Sequence, residues 1–258
     1  MGANPWVGLK YFKQLISYHD FLRILRNTFS ISLGALLFAF PAPIIFALMI
    51  NELRANRFKK VIQTITYLPH FVSWVVVSGL FYFILDKDYG AFNDFLAFLG
   101  FERIPFFRRP DLFQPILILA TIWKNTGWNS IIYLAALAGV DQEMYEAAKI
   151  DGASKLQEIL YITLPSIIPT IMVVLIINTG RIMTGGGIIP DFEAVFNMGN
   201  AMVSSTGETI AIHIYNEGFQ MGRYSYATAF GLFQSIIAFI FVFGSNWLAK
   251  RLKGYGVI

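Results

Sequence analysis

The sequence predicts an all-α, polytopic membrane helical bundle, and three observations carry that expectation. Of its 258 residues 56% are hydrophobic and only 14% are charged, against about a quarter charged in soluble domains. The charges are clumped, so that residues 27–51, 61–85, 159–180 and 224–249 carry none. Each run meets the roughly 20 residues that a helix rising about 1.5 Å per residue needs to cross hydrocarbon. A fifth run, Leu112 to Val140, is long enough but holds Lys124. Five spans are therefore expected, at about 28–50, 66–85, 112–138, 165–182 and 226–249.

Taken in order, residues 1–26 lack the short apolar core and small-residue cleavage site of a signal peptide. Leu9, Phe12, Ile16, Phe21, Leu22 and Leu25 recur at helical spacing among Lys10, Lys13, Arg23 and Arg26, the pattern of an interfacial amphipathic segment. Pro41 and Pro43 predict a kink inside the first span. Arg54, Arg57, Lys59 and Lys60 make the next connection basic, and Tyr67 to Leu85 completes the second span. After the polar and aromatic stretch 86–111, Asp111 and Gln114 have capping-box spacing for the third span. The fourth span starts at Pro165, a long loop covers 183–224, and Ser225 is placed to cap the last. The triplet Gly185 to Gly187 in that loop reads as flexible linker.

Several function classes drop out. There is no cysteine, hence no thiol catalysis or zinc cluster, and His19, His70 and His213 are too far apart for a helical ligand pair. No metal site is expected, and no GxxxxGK[ST] loop exists to cradle a nucleotide. The net charge of +4 fits basic loops meeting anionic lipid, with no nucleic-acid partner.

Within the third span lies the polar patch Trp123, Lys124, Asn125, Trp128 and Asn129. A lysine at bilayer depth costs a few kcal/mol unless it faces protein or water, so the patch is expected to face a bundle interior or cavity. The alternatives are a snorkelling Lys124 or a helix broken at Gly127. Aromatic faces beside amides suit a sugar, which presents both apolar and polar surfaces; packing in an interfacial belt is the plainer role for either tryptophan. Arg181, ending the fourth span, either lines the same path or reaches outward.

Between the third and fourth spans, residues 139–164 read as helix, glycine turn and helix. Asp141 caps the first arm, Gly152 ends it, and Ser154 with Gln157 forms a capping box for the second. Ala147 and Ala148 leave a flat surface for another backbone, with Glu146 beside it. The residues Glu146-Ala147-Ala148, Gly152, Ile162 and Leu164-Pro165 match the pattern EAA, three residues, G, nine residues, I-x-L-P. In this the chain resembles the permease subunits of binding-protein-dependent ABC importers, of the type I kind. Gly127-Trp-Asn-Ser-Ile-Ile-Tyr133 and Tyr224 to Ser235 are similar to the carbohydrate-uptake branch, closest to polysaccharide permeases that work with lipoprotein receptors.

That resemblance implies a non-catalytic subunit of an oligosaccharide or polysaccharide-fragment importer in the bacterial cytoplasmic membrane. The implied partners are a second, homologous permease, two ATPases carrying ATP and Mg2+, and an extracytoplasmic solute-binding protein; the chain itself holds no cofactor. Glu146, Ala147, Ala148 and Gly152 become the element that docks on an ATPase. Six spans are usual in that branch, with three before the loop being one too few. The stretch Asn4 to Phe12 resembles the segment just after the family's first span, so a span upstream of residue 1 is implied. Lysine and arginine counts, nine on each side, do not orient the chain. Placing the signature loop in the cytoplasm puts 1–26 outside and the C-terminus inside. The rival readings are an ion-coupled secondary transporter, which would usually keep an ionisable midplane residue, and a membrane enzyme. None of the sixteen acidic residues lies within a span, and no catalytic constellation is evident.

Overall fold

The computed structural model describes residues 6–53 and 55–253. Arg54 of the basic connection and residues 1–5 of the interfacial segment lie outside them. Among the described residues there is no strand, and one isolated antiparallel bridge joins Gly186 to Ile189.

Helix α1 (Lys10–Ile16) falls in the stretch expected to be interfacial, with Leu15 buried and Lys10 and Lys13 exposed. Helices α2 (Phe21–Phe38) and α3 (Pro41–Asn51) together make a 31-residue apolar unit. The joint at Ala39 and Phe40 sits where the prolines place it. Pro41 cannot donate a backbone N–H, so the N–H groups of Ala39 and Phe40 share the Ala35 carbonyl at 2.7 and 3.0 Å.

The second span departs from expectation. Residues 57–67, expected as loop and span start, form α4 (Asn56–Tyr67), which runs through a 3-10 turn at Leu68–Phe71. The chain then turns by 103° into α5 (Trp74–Ile84). Pro69 and the extended Val72 end one helix, and Ser73 begins the next by accepting from Val76 N. A short helix α6 (Ala91–Phe98) follows.

Helix α7 (Pro110–Ala138) is unbroken over 29 residues, so Gly127 is not a break. Its glycine serves contact instead. A Cβ there would lie 2.1 Å from the Thr66 carbonyl oxygen, which lets α4 press backbone to backbone against α7. Asp111 pairs with Arg109 at 2.6 Å inside the first turn and does not cap it.

Helix α8 (Gln142–Ile150) and α9 (Lys155–Glu158) form the expected hairpin. The second arm does not stop before Pro165. It passes through a π turn at Ile159–Thr163 into α10 (Leu164–Gly180), one continuous 26-residue helix from Lys155. The wider turn carries the chain to Pro165, which has no N–H to give, and Thr163 Oγ1 bonds back to the Glu158 carbonyl at 3.2 Å.

Short helices α11 (Phe192–Met198), α12 (Ser204–Gly207) and α13 (Ile210–Tyr215) fill the long loop. The last helix, α14 (Tyr224–Lys253), already includes Ser225 as its second residue, which puts it two positions past the cap.

Of the five expected spans, three are helices long and apolar enough to cross a membrane, Phe21–Asn51, Lys155–Gly180 and Tyr224–Arg251. The bent pair Asn56–Phe71 and Trp74–Ile84 makes a fourth where the two are taken together as one broken span. Helix α7 has the length, about 43 Å, without the uniform apolarity, because of its polar patch.

Two apolar cores hold the bundle. One joins α2, α3, α7, α10 and α14 through Ala35, Tyr133, Leu137, Ile167 and Phe230; the other packs α5 and α11 on the first half of α7 through Trp74, Val77, Phe113, Leu117 and Met198. The connections separate into two groups. Lys155 reaches Glu52 at 3.4 Å, bringing the end of α3 to the hairpin. At the opposite group, Arg23 pairs with Glu208 at 2.7 Å, Asn27 donates to the Ser205 carbonyl, and Asn200 donates to that of Phe107.

Candidate functional site

The hairpin is built from local chemistry. Asp141 accepts from Glu143 N at 3.0 Å, capping α8, and Ser154 and Gln157 make the reciprocal capping box. Between the arms Gly152 has φ +75°, a left-handed conformation that side chains resist. Gly152 N donates to the Lys149 carbonyl at 3.2 Å and Ala153 N to that of Ala148 at 2.9 Å, the paired bonds of a Schellman end. A Cβ at 152 would meet nothing within 4 Å, so glycine is there for its backbone and not for room.

No residue of α8 is buried. Glu146 and Ala147 are exposed, as is Ile150 at 86%, an apolar cost carried on a connector that has nothing to pack on. Ala148, Gly152, Gln157 and Tyr161 line a shallow depression of about 270 Å³ between the arms. The hairpin is nonetheless tied to the bundle. Tyr145 Oη bonds Thr163 Oγ1 at 3.0 Å, and Glu158, 3% exposed, holds Lys155 at 2.6 Å while Lys155 spans to Glu52. Sequence reading missed Glu158; an acid in the apolar stripe of Leu156, Ile159 and Leu160, three residues after a lysine, was the available signal.

The polar patch of α7 divides. Lys124, expected to line a path, is only 6% exposed, and its amine donates to the carbonyls of Pro69, His70 and Val72 at 3.3, 2.6 and 2.5 Å. It also lies 5.7 Å from the Trp74 ring. Those carbonyls belong to the break between α4 and α5, so the cation serves as the cap of a broken span. Trp123 turns the same way, edge-on to Phe81 at 6.1 Å. Asn125 meets His70 Nδ1 at 3.0 Å and donates to the Gly187 carbonyl at 3.3 Å. Trp128 stacks on His70 with centroids 4.7 Å apart and planes 2° apart, yet stays 40% exposed.

Trp128 and Asn129 reach an open cleft of about 420 Å³ between α7 and α10. Tyr133, Asn178, Arg181 and Gly187 complete its polar lining, and Ile131, Ile132, Val174 and Ile177 its apolar one. The sequence had suggested Trp128 and Asn129 by helical spacing, and Arg181 in one of its two readings; it could not supply Tyr133, Asn178 or the glycine loop. That loop is a tight turn and not a slack linker. All three glycines have positive φ, and Gly186 N donates to the Ile189 carbonyl at 2.8 Å.

At the far end, Glu208 receives both Arg23 at 2.7 Å and His213 Nδ1 at 3.1 Å. The His213 hydrogen bond, with Arg23 behind it, holds the Glu208 carboxyl below its ordinary range against the opposing effect of burial. His213 is 2% exposed and its Nε2 has no partner. Among the described residues no cluster of three metal-binding side chains occurs.

Residues 39–254 match the family described as the binding-protein-dependent transport system inner membrane component. The chain is 43% identical over 254 residues to protein LplB of Bacillus subtilis (strain 168), covering 98% of this chain and 78% of that protein. It is 40% identical over 255 residues to the polygalacturonan/rhamnogalacturonan transport system permease protein YteP of the same strain, covering 99% and 78%. Among solved structures it resembles a chain of a bacterial alginate ABC transporter in complex with alginate pentasaccharide-bound periplasmic protein, with a TM-score of 0.91, 40% identity, and coverage of 97% of this chain and 85% of that one.

Proposed function

The chain belongs to the family of inner membrane components of binding-protein-dependent transport systems, and on that premise we propose that it is one permease subunit of an ATP-driven importer of oligosaccharides or polysaccharide fragments. The observation that carries this reading is the exposed hairpin. A capped helix with no buried residue, ended by a Schellman glycine and braced through Tyr145 and Glu158, is a rigid lever awaiting a second surface. In this reading Glu146, Ala147, Ala148 and Gly152 seat the lever in an ATPase. The alanines admit a close backbone and the glycine makes the bend.

The remaining parts follow the same logic. Two ATPases supply ATP and Mg2+, a homologous permease completes the path, and an extracytoplasmic binding protein delivers cargo. Relatives named for polygalacturonan, rhamnogalacturonan and alginate transport support a saccharide cargo. The half-path is the cleft of Trp128, Asn129 and Asn178, open on one side in the single subunit. Asn125 and Trp123 support it from behind, and Lys124 acts by holding the break in place.

Isolating the subunit from its native membrane in mild detergent tests the reading. An ATPase and a second permease should come with it, and the complex should hydrolyse ATP faster when given saccharide-loaded binding protein. A subunit that purifies alone, or a complex indifferent to every loaded receptor, defeats the proposal.

Orientation is checked separately. Cysteines at Lys13 and Lys155 are expected to label from opposite faces, Lys13 extracytoplasmic and Lys155 cytoplasmic with the C-terminus. Both residues lie in well-separated groups of connections, Lys155 on the Glu52 side. Labelling of both from one face rejects the orientation.

A further inference from the structure

The cleft between α7 and α10 holds a cation with nothing to bind. Arg181 follows the last turn of α10, is exposed, and makes no ion pair or side-chain hydrogen bond among the described residues. A guanidinium has five donors and no acceptor, and here they stand free beside the apolar wall of the cleft. Four other arginines are paired, Arg23 with Asp20 and Glu208, Arg103 with Asp94, Arg109 with Asp111 and Arg223 with Glu217; what sets Arg181 apart from the unpaired surface arginines is its place on the lining of a cleft.

The position of Arg181 is built. At Gly187 an added Cβ would lie 2.7 Å from Arg181 Nη1 and 2.8 Å from Asn178 Oδ1. The glycine, at φ +69°, favours that tight turn and leaves room for the guanidinium and the amide against the same backbone. Asn125 in turn holds the Gly187 carbonyl, so the turn is anchored to α7.

A second observation comes from the same cleft. Tyr133 lines it, is 1% exposed, and its hydroxyl has no partner. A buried hydroxyl left unpaired costs about 1–3 kcal/mol. Beside it stand the partly exposed Trp128 ring and the Asn129 side chain. The volume of about 420 Å³ is within the range of small-molecule sites. An aromatic face and amides suit a pyranose; an unpaired guanidinium adds a partner for a planar carboxylate, which it can grip by two parallel hydrogen bonds.

We propose that this cleft is a carboxylate-reading saccharide subsite, in which Arg181 engages the carboxylate of a uronic acid residue while Trp128 and Asn129 contact its ring. The inference rests on the importer reading and refines it: the cargo is an acidic oligosaccharide. No covalent step is involved.

The test uses the assembled complex, with partner permease, ATPases and binding protein, in proteoliposomes. The probes are oligosaccharides in matched pairs, tetragalacturonate and tetramannuronate, each with its methyl ester. Wild type is expected to respond to an acidic member by faster ATP hydrolysis and uptake. Arg181→Gln should cut uptake of that acid about tenfold or more while changing the ester by less than about twofold, and Arg181→Lys should restore part of the loss, a point charge replacing a fork. Asn129→Ala should lower uptake of acid and ester alike.

Each other outcome decides against the proposal. Equal losses for acid and ester in Arg181→Gln would mean a role in folding or gating. Reduced recovery of the partner permease with Arg181→Gln would make Arg181 half of an interface ion pair. A wild-type complex stimulated by neutral saccharides and by no acid overturns the subsite while leaving the importer standing. If no saccharide stimulates it, the importer reading itself fails.

Discussion

A Gly152→Pro complex should bind saccharide-loaded receptor normally yet lose nearly all saccharide-stimulated ATP hydrolysis, a fall of about tenfold or more. The reason is conformational. Proline fixes φ near −65°, whereas residue 152 sits at +75°, and proline also removes the N–H that closes the α8 end on the Lys149 carbonyl. The two arms would then leave the turn at a different angle. Gly152→Ala provides the graded control. Its Cβ meets nothing within 4 Å, so it pays only the left-handed cost of about 1–2 kcal/mol and should couple at reduced efficiency. Glu146→Lys, which reverses a charge on the exposed face without touching the turn, should release ATPase from the complex during purification. Full stimulated hydrolysis by the Gly152→Pro complex would end the lever interpretation.

Lys124→Met is expected to be the most damaging single change to the fold. The replacement keeps the apolar stem and deletes the amine that serves the carbonyls of Pro69, His70 and Val72. Carbonyls left without a partner away from water cost about 1–3 kcal/mol each. The midpoint of thermal unfolding of the purified complex should fall by roughly 5 °C or more, with the loss of α4–α5 geometry visible as faster proteolysis between residues 68 and 73. His70→Ala should show a milder form of the same effect, since it removes the ring stacked on Trp128 but keeps the amine. Should Lys124→Met melt like wild type and still abolish transport, the amine belongs to the cargo path after all.

Much of the hairpin was legible because its signals act over a few residues. Asp141, Gly152 and Ser154 satisfy N–H and carbonyl groups no more than a turn away, so the residue types and their spacing define the object. The same local logic failed at Asp111 and Ser225. There the helices begin two residues earlier than the capping pattern assumed, at Pro110 and Tyr224, and Asp111 found Arg109 instead. In the cleft, Trp128 and Asn129 could be suggested from their spacing on one helix, whereas Tyr133, Asn178 and Gly187 could not. Their roles depend on α10 and the glycine turn being brought against α7, and the turn itself was taken for slack because its three glycines also fit a linker.

By itself the sequence determined that this chain is a helical membrane protein and where its exposed hairpin lies, since hydrocarbon thickness, uncharged run length and capping chemistry are one-dimensional constraints. Tertiary structure alone decided what the buried lysine does. An amine at bilayer depth must find acceptors, and the sequence states the demand without saying who meets it. The answer lay in the carbonyls freed where α4 turns by 103° into α5, a partnership between two helices that neither helix's own pattern contains.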